Sequence, residues 1–129
     1  MRDTVYVVAA APGESSKISG ALSSATFDVR TAGSAEELIA ALGAGACGCV
    51  VAPVDLPGIG VRGLIDEIRR RQLRLAVVVI GREDDLRVAV DIVRAGAAEF
   101  VEHPFSAAGL RSAVRRALVA ARVAHSPSR

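Results

Sequence analysis

Few residues in this chain have the types and spacing that chemistry requires. Gly58-Ile59-Gly60-Val61-Arg62-Gly63 spells G-x-G-x-x-G ahead of a helical stretch, with Glu83 twenty residues beyond Gly63. Such a run lets backbone amides approach a pyrophosphate while the acid binds a ribose. Here it belongs to the third strand–helix unit and is set off from its strand by Asp55-Leu56-Pro57. A permissive loop is therefore the preferred reading. His103 could titrate near neutral pH or serve as a general base. The candidates across from it are alanines and a glycine, so it reads as a solvent-facing strand-end residue. Cys47 and Cys49 sit two apart on one face of a strand, a poor geometry for a disulfide. No further cysteine or histidine pair completes a zinc set. They read as two small buried hydrophobes in a reducing cytoplasm, and no metal or cofactor is expected.

The elements that position these residues come from one domain of 129 residues, 51% of them hydrophobic. Sixteen basic against fourteen acidic residues leave a net charge of +2, too little for general nucleic-acid attraction. The only aromatics are Tyr6, Phe27, Phe100 and Phe105, so a base-stacking platform is excluded and no DNA contact is expected. No apolar run approaches the ~18 residues of a membrane span. The start at Met1-Arg2-Asp3 carries no signal-peptide pattern.

Short β-branched runs alternate with helical patterns. Strands are expected at Val5–Ala9, Phe27–Thr31, Cys49–Ala52, Ala76–Ile80 and Glu99–Glu102. The continuous apolar ones belong in a parallel sheet covered on both faces. A Ser-rich helix is expected over about Glu14–Ala25. Ser34-Ala35-Glu36-Glu37 forms a capping box for a helix that runs to about Leu42 and stops at Gly43. Leu64, Ile65 and Ile68 give a third helix its inner face, with Arg69 to Arg71 at its end. Asp84 and Asp85 sit at the positive end of a fourth helix, which Gly96 terminates. The last helix, about Ala107 to Val123, buries Leu110, Val114, Ala117, Leu118 and Ala121. The fold class is thus a flavodoxin-like doubly wound (βα)5 domain with strand order 2-1-3-4-5. The domain is placed at residues 1–122 and a frayed tail at 123–129.

Four stretches carry a family resemblance: Val7-Val8-Ala9-Ala10-Ala11-Pro12, Asp55-Leu56-Pro57-Gly58, Arg94-Ala95-Gly96-Ala97-Ala98-Glu99-Phe100 and His103-Pro104-Phe105. They resemble the receiver domain of two-component response regulators, of the FixJ type, over about Thr4 to Val119. The resemblance implies five chemical positions. An acidic pair that holds Mg²⁺ falls at Ala9 and Ala10, and the phosphoacceptor aspartate at Pro53. The hydroxyl residue after strand four falls at Gly81, and the lysine before a cis proline at His103. None of these residues keeps the chemistry, because alanine offers Mg²⁺ no oxygen and Pro53 has no side-chain nucleophile. Asp55, two residues beyond the acceptor position, reads as a turn residue rather than a displaced acceptor. The bond before Pro104 is expected to be cis.

The expected function is that of a degenerate, phosphorylation-independent pseudo-receiver, a non-enzymatic interaction module of bacterial cytoplasmic signalling. Its partner is another protein or a second copy, met through helix four, strand five and helix five. Phe100, Asp91 and an arginine stripe of Arg111, Arg115 and Arg122 are the interface candidates, with Asp84 and Asp85 as further acids. Arg111, Arg115 and Arg122 lie within about 40° of one another on a helical wheel. The alternative is a module that binds a cyclic dinucleotide through surface arginines.

Overall fold

Ten elements alternate without exception from strand to helix in the computed structural model, which describes residues 3–9, 12–23, 27–82 and 86–124. They are β1 (Asp3–Val8), α1 (Pro12–Leu22), β2 (Phe27–Ala32), α2 (Ala35–Ala41), β3 (Cys47–Pro53), α3 (Gly60–Arg70), β4 (Arg74–Gly81), α4 (Leu86–Ala95), β5 (Glu99–Glu102) and α5 (Ala107–Ala124). The strands form one parallel sheet in the order β2-β1-β3-β4-β5, as the pattern predicts. Register aligns Val7 with Val51, Pro53 with Ile80, and Gly81 with Glu102. The carboxyl ends of the strands therefore stand in one row.

Both faces of the sheet are buried, which is why its strands read as continuous apolar runs. Val5, Val7, Cys49, Val51, Val78 and Ile80 pack with Ile18 and Leu22 of α1 and Leu110, Val114 and Leu118 of α5. On the other face, Val8, Val50, Val77 and Val79 meet Leu38 of α2, Leu64 and Ile65 of α3, and Ile92 of α4. No polar or charged residue is buried among the described residues.

Local signals set the helix ends. The Glu37 N–H donates to Ser34 Oγ at 3.0 Å, as a capping box requires. The Glu37 carboxylate reaches one residue further back than expected, to the Gly33 N–H at 3.2 Å. α4 stops at Ala95, just before Gly96. α1 begins at Pro12 rather than Glu14, since a proline in the first turn lacks only an N–H that has no helical partner anyway. The expected end of that helix, Ala25, lies outside the described residues, as do Met1 and Arg2. α5 runs to Ala124, past the boundary set at residue 122, and residues 125–129 fall outside the description.

One burial expectation needs correction. Cys49 is buried, and desolvation pushes its thiol well above the ordinary range. Cys47 is exposed, because it opens β3 at the margin of the sheet, beyond the helical cover. Both are free thiols.

Candidate functional site

The row of strand ends gathers the expected site residues. Ala9, buried just beyond β1, donates its N–H to the Ala32 carbonyl at 3.2 Å. Ala10 lies outside the described residues. Pro53 closes β3 and is buried; the Val54 N–H, one residue on, donates to the Ile80 carbonyl at 2.8 Å. Gly81 closes β4, and its carbonyl accepts the His103 N–H at 2.8 Å. Ala9, Pro53, Gly81 and His103 thus meet at one end of the sheet, and three of the four side chains carry no polar atom.

The space beside Gly81 is filled from β5. A β-carbon at residue 81 would stand 2.6 Å from Cζ and 3.0 Å from Cε2 of Phe100, and 3.1 Å from Cγ1 of Val54. Phe100 is half-buried and packs against the α2–α3–α4 core. Its ring occupies the volume that any side chain at residue 81 would need. Any larger residue would require the ring to shift.

His103 differs from its sequence reading. It is half-buried, and its ring lies 5.1 Å from that of Phe105. Lys17, the only lysine in the chain, stands on the same aromatic at 5.3 Å. His103 therefore has a ring partner rather than open solvent. The His103–Pro104 peptide is cis, as expected. Asp55 is exposed, in a turn that the Leu56 N–H closes by donating to the Pro53 carbonyl at 3.2 Å.

The glycine-rich run is spent on packing. The Ile59 N–H donates to Glu36 Oε2 at 3.0 Å, which ties this loop to the first turn of α2. Gly58, at φ +75° beside the Glu36 carboxylate, holds a backbone conformation that residues with a β-carbon rarely adopt. Gly60 and Gly63 already belong to α3. Glu83 lies outside the described residues.

The expected basic stripe is turned to another neighbour. Arg111 donates to the Ala21 carbonyl of α1 at 3.1 Å and is half-buried. The Arg115 guanidinium stands 5.7 Å over the Phe27 ring of β2. Both point toward α1 and β2, away from β5, because α5 packs beside α1 on this face of the sheet. The side chain of Arg122 and the whole of Asp84 and Asp85 lie outside the description. Asp91 lines a groove shared by α4 and α3 rather than the flank of α4 that meets β5. The charge that joins α5 to β5 is Arg116, paired with Glu99 at 3.0 Å. A helical wheel sets Arg116 about 100° round from Arg115, but no local signal in the sequence pairs it with Glu99. Val90 and Val93 are exposed on α4, as is Val119 on α5.

Comparison with known proteins accords with this geometry. The response regulator receiver domain family profile matches residues 5–115. The chain is 39% identical over 71 residues to the transcriptional regulatory protein FixJ of Azorhizobium caulinodans, covering 55% of this chain and 34% of that protein. It is 31% identical over 105 residues to FixJ of Bradyrhizobium diazoefficiens, covering 78% of this chain and 51% of the relative. The chain thus spans about half or less of the length of these two relatives. The crystallised receiver domain of NtrX from Brucella abortus superposes with a TM-score of 0.81 at 32% identity, over 89% of this chain and 98% of that one. NtrX from the same organism in complex with ATP gives 0.85 at 30% identity, over 96% of this chain and 28% of that one. Fold, cis proline, edge aromatic and matched profile converge, and the chain belongs to the response regulator receiver domain family.

Proposed function

We propose that this receiver domain works without phosphorylation, as a pseudo-receiver that docks a protein partner or a second copy. The observation that carries the reading is the composition of the strand-end row. Ala9 offers a divalent cation no oxygen, Pro53 offers no nucleophile, and Gly81 offers no hydroxyl. Phosphoryl transfer needs both a metal and an acceptor in line, and this row supplies neither. The docking face is that of α4, β5 and α5. Val90, Val93 and Val119 supply exposed apolar area, and the Arg116–Glu99 pair supplies a polar rim. Phe100 supports this face from below as a fixed plug. Two free thiols suit a reducing cytoplasm. The cyclic-dinucleotide alternative gains nothing here, since Arg111 and Arg115 are engaged by α1 and β2.

The test is incubation with a small phosphodonor and Mg²⁺, followed by intact-mass measurement. The expected result is an unchanged mass and an unchanged melting temperature. A stoichiometric, hydroxylamine-labile phosphoryl adduct overturns the reading.

A further inference from the structure

We propose that the outer edge of β2 pairs with β2 of a second copy, antiparallel, about a twofold axis that passes through Val29. This edge is the margin of the sheet opposite β5. The inference therefore stands apart from the α4–β5–α5 face and from the chemistry of the strand-end row.

The two margins of the sheet are built differently. Among the described residues β2 pairs only with β1, in an unbroken register from Phe27 to Ala32. Its sequence, Phe27-Asp28-Val29-Arg30-Thr31-Ala32, contains no proline and no lysine, the residues that commonly blunt an edge. β5 is only four residues long, with a glutamate at each end and no base. A short edge of one charge is a guarded edge. The outward N–H and C=O groups of β2 instead form a regular template for another strand. Its side chains leave room for one, since Phe27 alone is buried and Arg30 and Thr31 are exposed.

The order of the side chains decides which strand fits. Asp28 and Arg30 lie two apart on one face of β2, with 46% and 65% of their side chains exposed. A twofold axis normal to the sheet keeps the faces of the two copies matched, so it passes through a residue and never between two. Centred on Val29, it sets Asp28 of each copy opposite Arg30 of the other. Phe27 then stands opposite Thr31, and Val29 opposite itself. Each pair is of a stabilising kind: opposite charges, an aromatic against a β-branched residue, and two β-branched residues. An axis at Asp28 sets two acids against each other, and an axis at Arg30 sets two arginines together. Of these central registers only the one at Val29 is self-complementary. Within one chain Arg30 Nη2 lies 3.3 Å from Asp28 Oδ2, and pairing exchanges that exposed contact for two between copies. A closed twofold pair joins two five-stranded sheets into one and covers both β2 edges.

The test is sedimentation of the chain from micromolar to millimolar concentration, with amide chemical shifts of the isotope-labelled chain. Concentration should produce a dimer and shift Phe27 to Thr31 while Val90 and Val93 of α4 stay unmoved. Asp28→Arg or Arg30→Asp alone sets like charges opposite each other and should weaken the dimer about tenfold. The double variant should restore it, and an equimolar mixture of the two single variants should form a mixed dimer. The melting temperature should hold in every variant. A monomer at millimolar concentration, shifts on α4 instead of β2, or a double variant that stays as weak as the single ones overturns the proposal. So does equal displacement of the dimer by a Phe27–Ala32 peptide and by the same peptide with serine at both charged positions, which would make the edge a site for any extended segment. Phosphorylation of the chain would sink the pseudo-receiver reading and leave this result untouched.

Discussion

The two ends of the sheet are built from opposite materials. Where the strands finish, the row of Ala9, Pro53 and Gly81 is buried and apolar, with an aromatic ring filling the gap. Where α2, α3 and α4 finish, charge does the holding. Arg69 Nη1 donates to the Ala95 carbonyl of α4 at 2.8 Å, and Arg71 Nη1 donates to the Ile39 carbonyl of α2 at 3.2 Å. Between them Glu67 accepts from Arg70 Nε at 3.1 Å and Arg71 Nε at 2.6 Å. Arg69 meets a carbonyl at the negative end of the α4 dipole, and Arg71 shares the Ile39 carbonyl with the capping Leu42 N–H at the end of α2. The difference teaches that the polar fastening of this receiver scaffold does not depend on the residues at its strand ends. The polar bonds that join one helix to another are concentrated at the end remote from those residues.

The comparison breaks most visibly at Gly81. Gly81→Thr forces three heavy atoms, Cβ, Oγ1 and Cγ2, against Phe100 and Val54, and over-packing of this kind costs about 1–3 kcal/mol. Urea unfolding measures the loss, and adding Phe100→Leu should recover part of it. Unchanged stability of the single variant would mean that the ring moves away freely and plugs nothing. Effects at the other end should be smaller. Arg69→Ala and Arg71→Ala each remove one cation from a helix terminus, for about 0.3–1 kcal/mol apiece, weakening further as salt rises. Equal losses for Arg74→Ala, which opens β4 and carries no such contact, would show that the capping is incidental.

The smallest effect is one of pH. The Arg70 and Arg71 guanidinium groups hold the Glu67 carboxyl down at about 2. A carboxyl lowered on folding stabilises the native state above its ordinary value, and that stabilisation is lost as pH falls through about 2. Glu67→Gln should therefore flatten the acid limb of the melting-temperature profile and leave the neutral plateau nearly level. An acid limb of unchanged slope would assign the loss to other carboxylates.

Much of this was legible in the sequence, and the exceptions share a cause. Continuous apolar runs gave β1, β3 and β4, a half-exposed run gave β2 and a short one around Phe100 gave β5; the Ser34 box gave the start of α2, and Gly96 gave the end of α4. These are local signals, readable within one turn or one strand. The strand-end positions could be located because the spacing from Pro57 and Pro104 carries over from the family. What failed was the neighbourhood of a side chain. A helical wheel groups Arg111 with Arg115 but is silent on whether α1 or β5 lies beside them. The Phe100–Gly81 contact and the Arg116–Glu99 pair join residues on different elements. Cys47 was misread for a related reason, since strand alternation fixes a face and not the depth of its cover.

The arginine pins have a mechanical consequence. α3 is fastened to α4 and α2 at its final turn, and its entry is tied to α2 by the Ile59 N–H on the Glu36 carboxylate. An 11-residue helix is an arm of about 16 Å. Pinned at both tips, that arm is a strut laid across the layer rather than a lever. Cutting the Arg69 contact alone therefore leaves the opposite tip in place, held by the Ile59–Glu36 bond and by Val61 and Leu64 in the core.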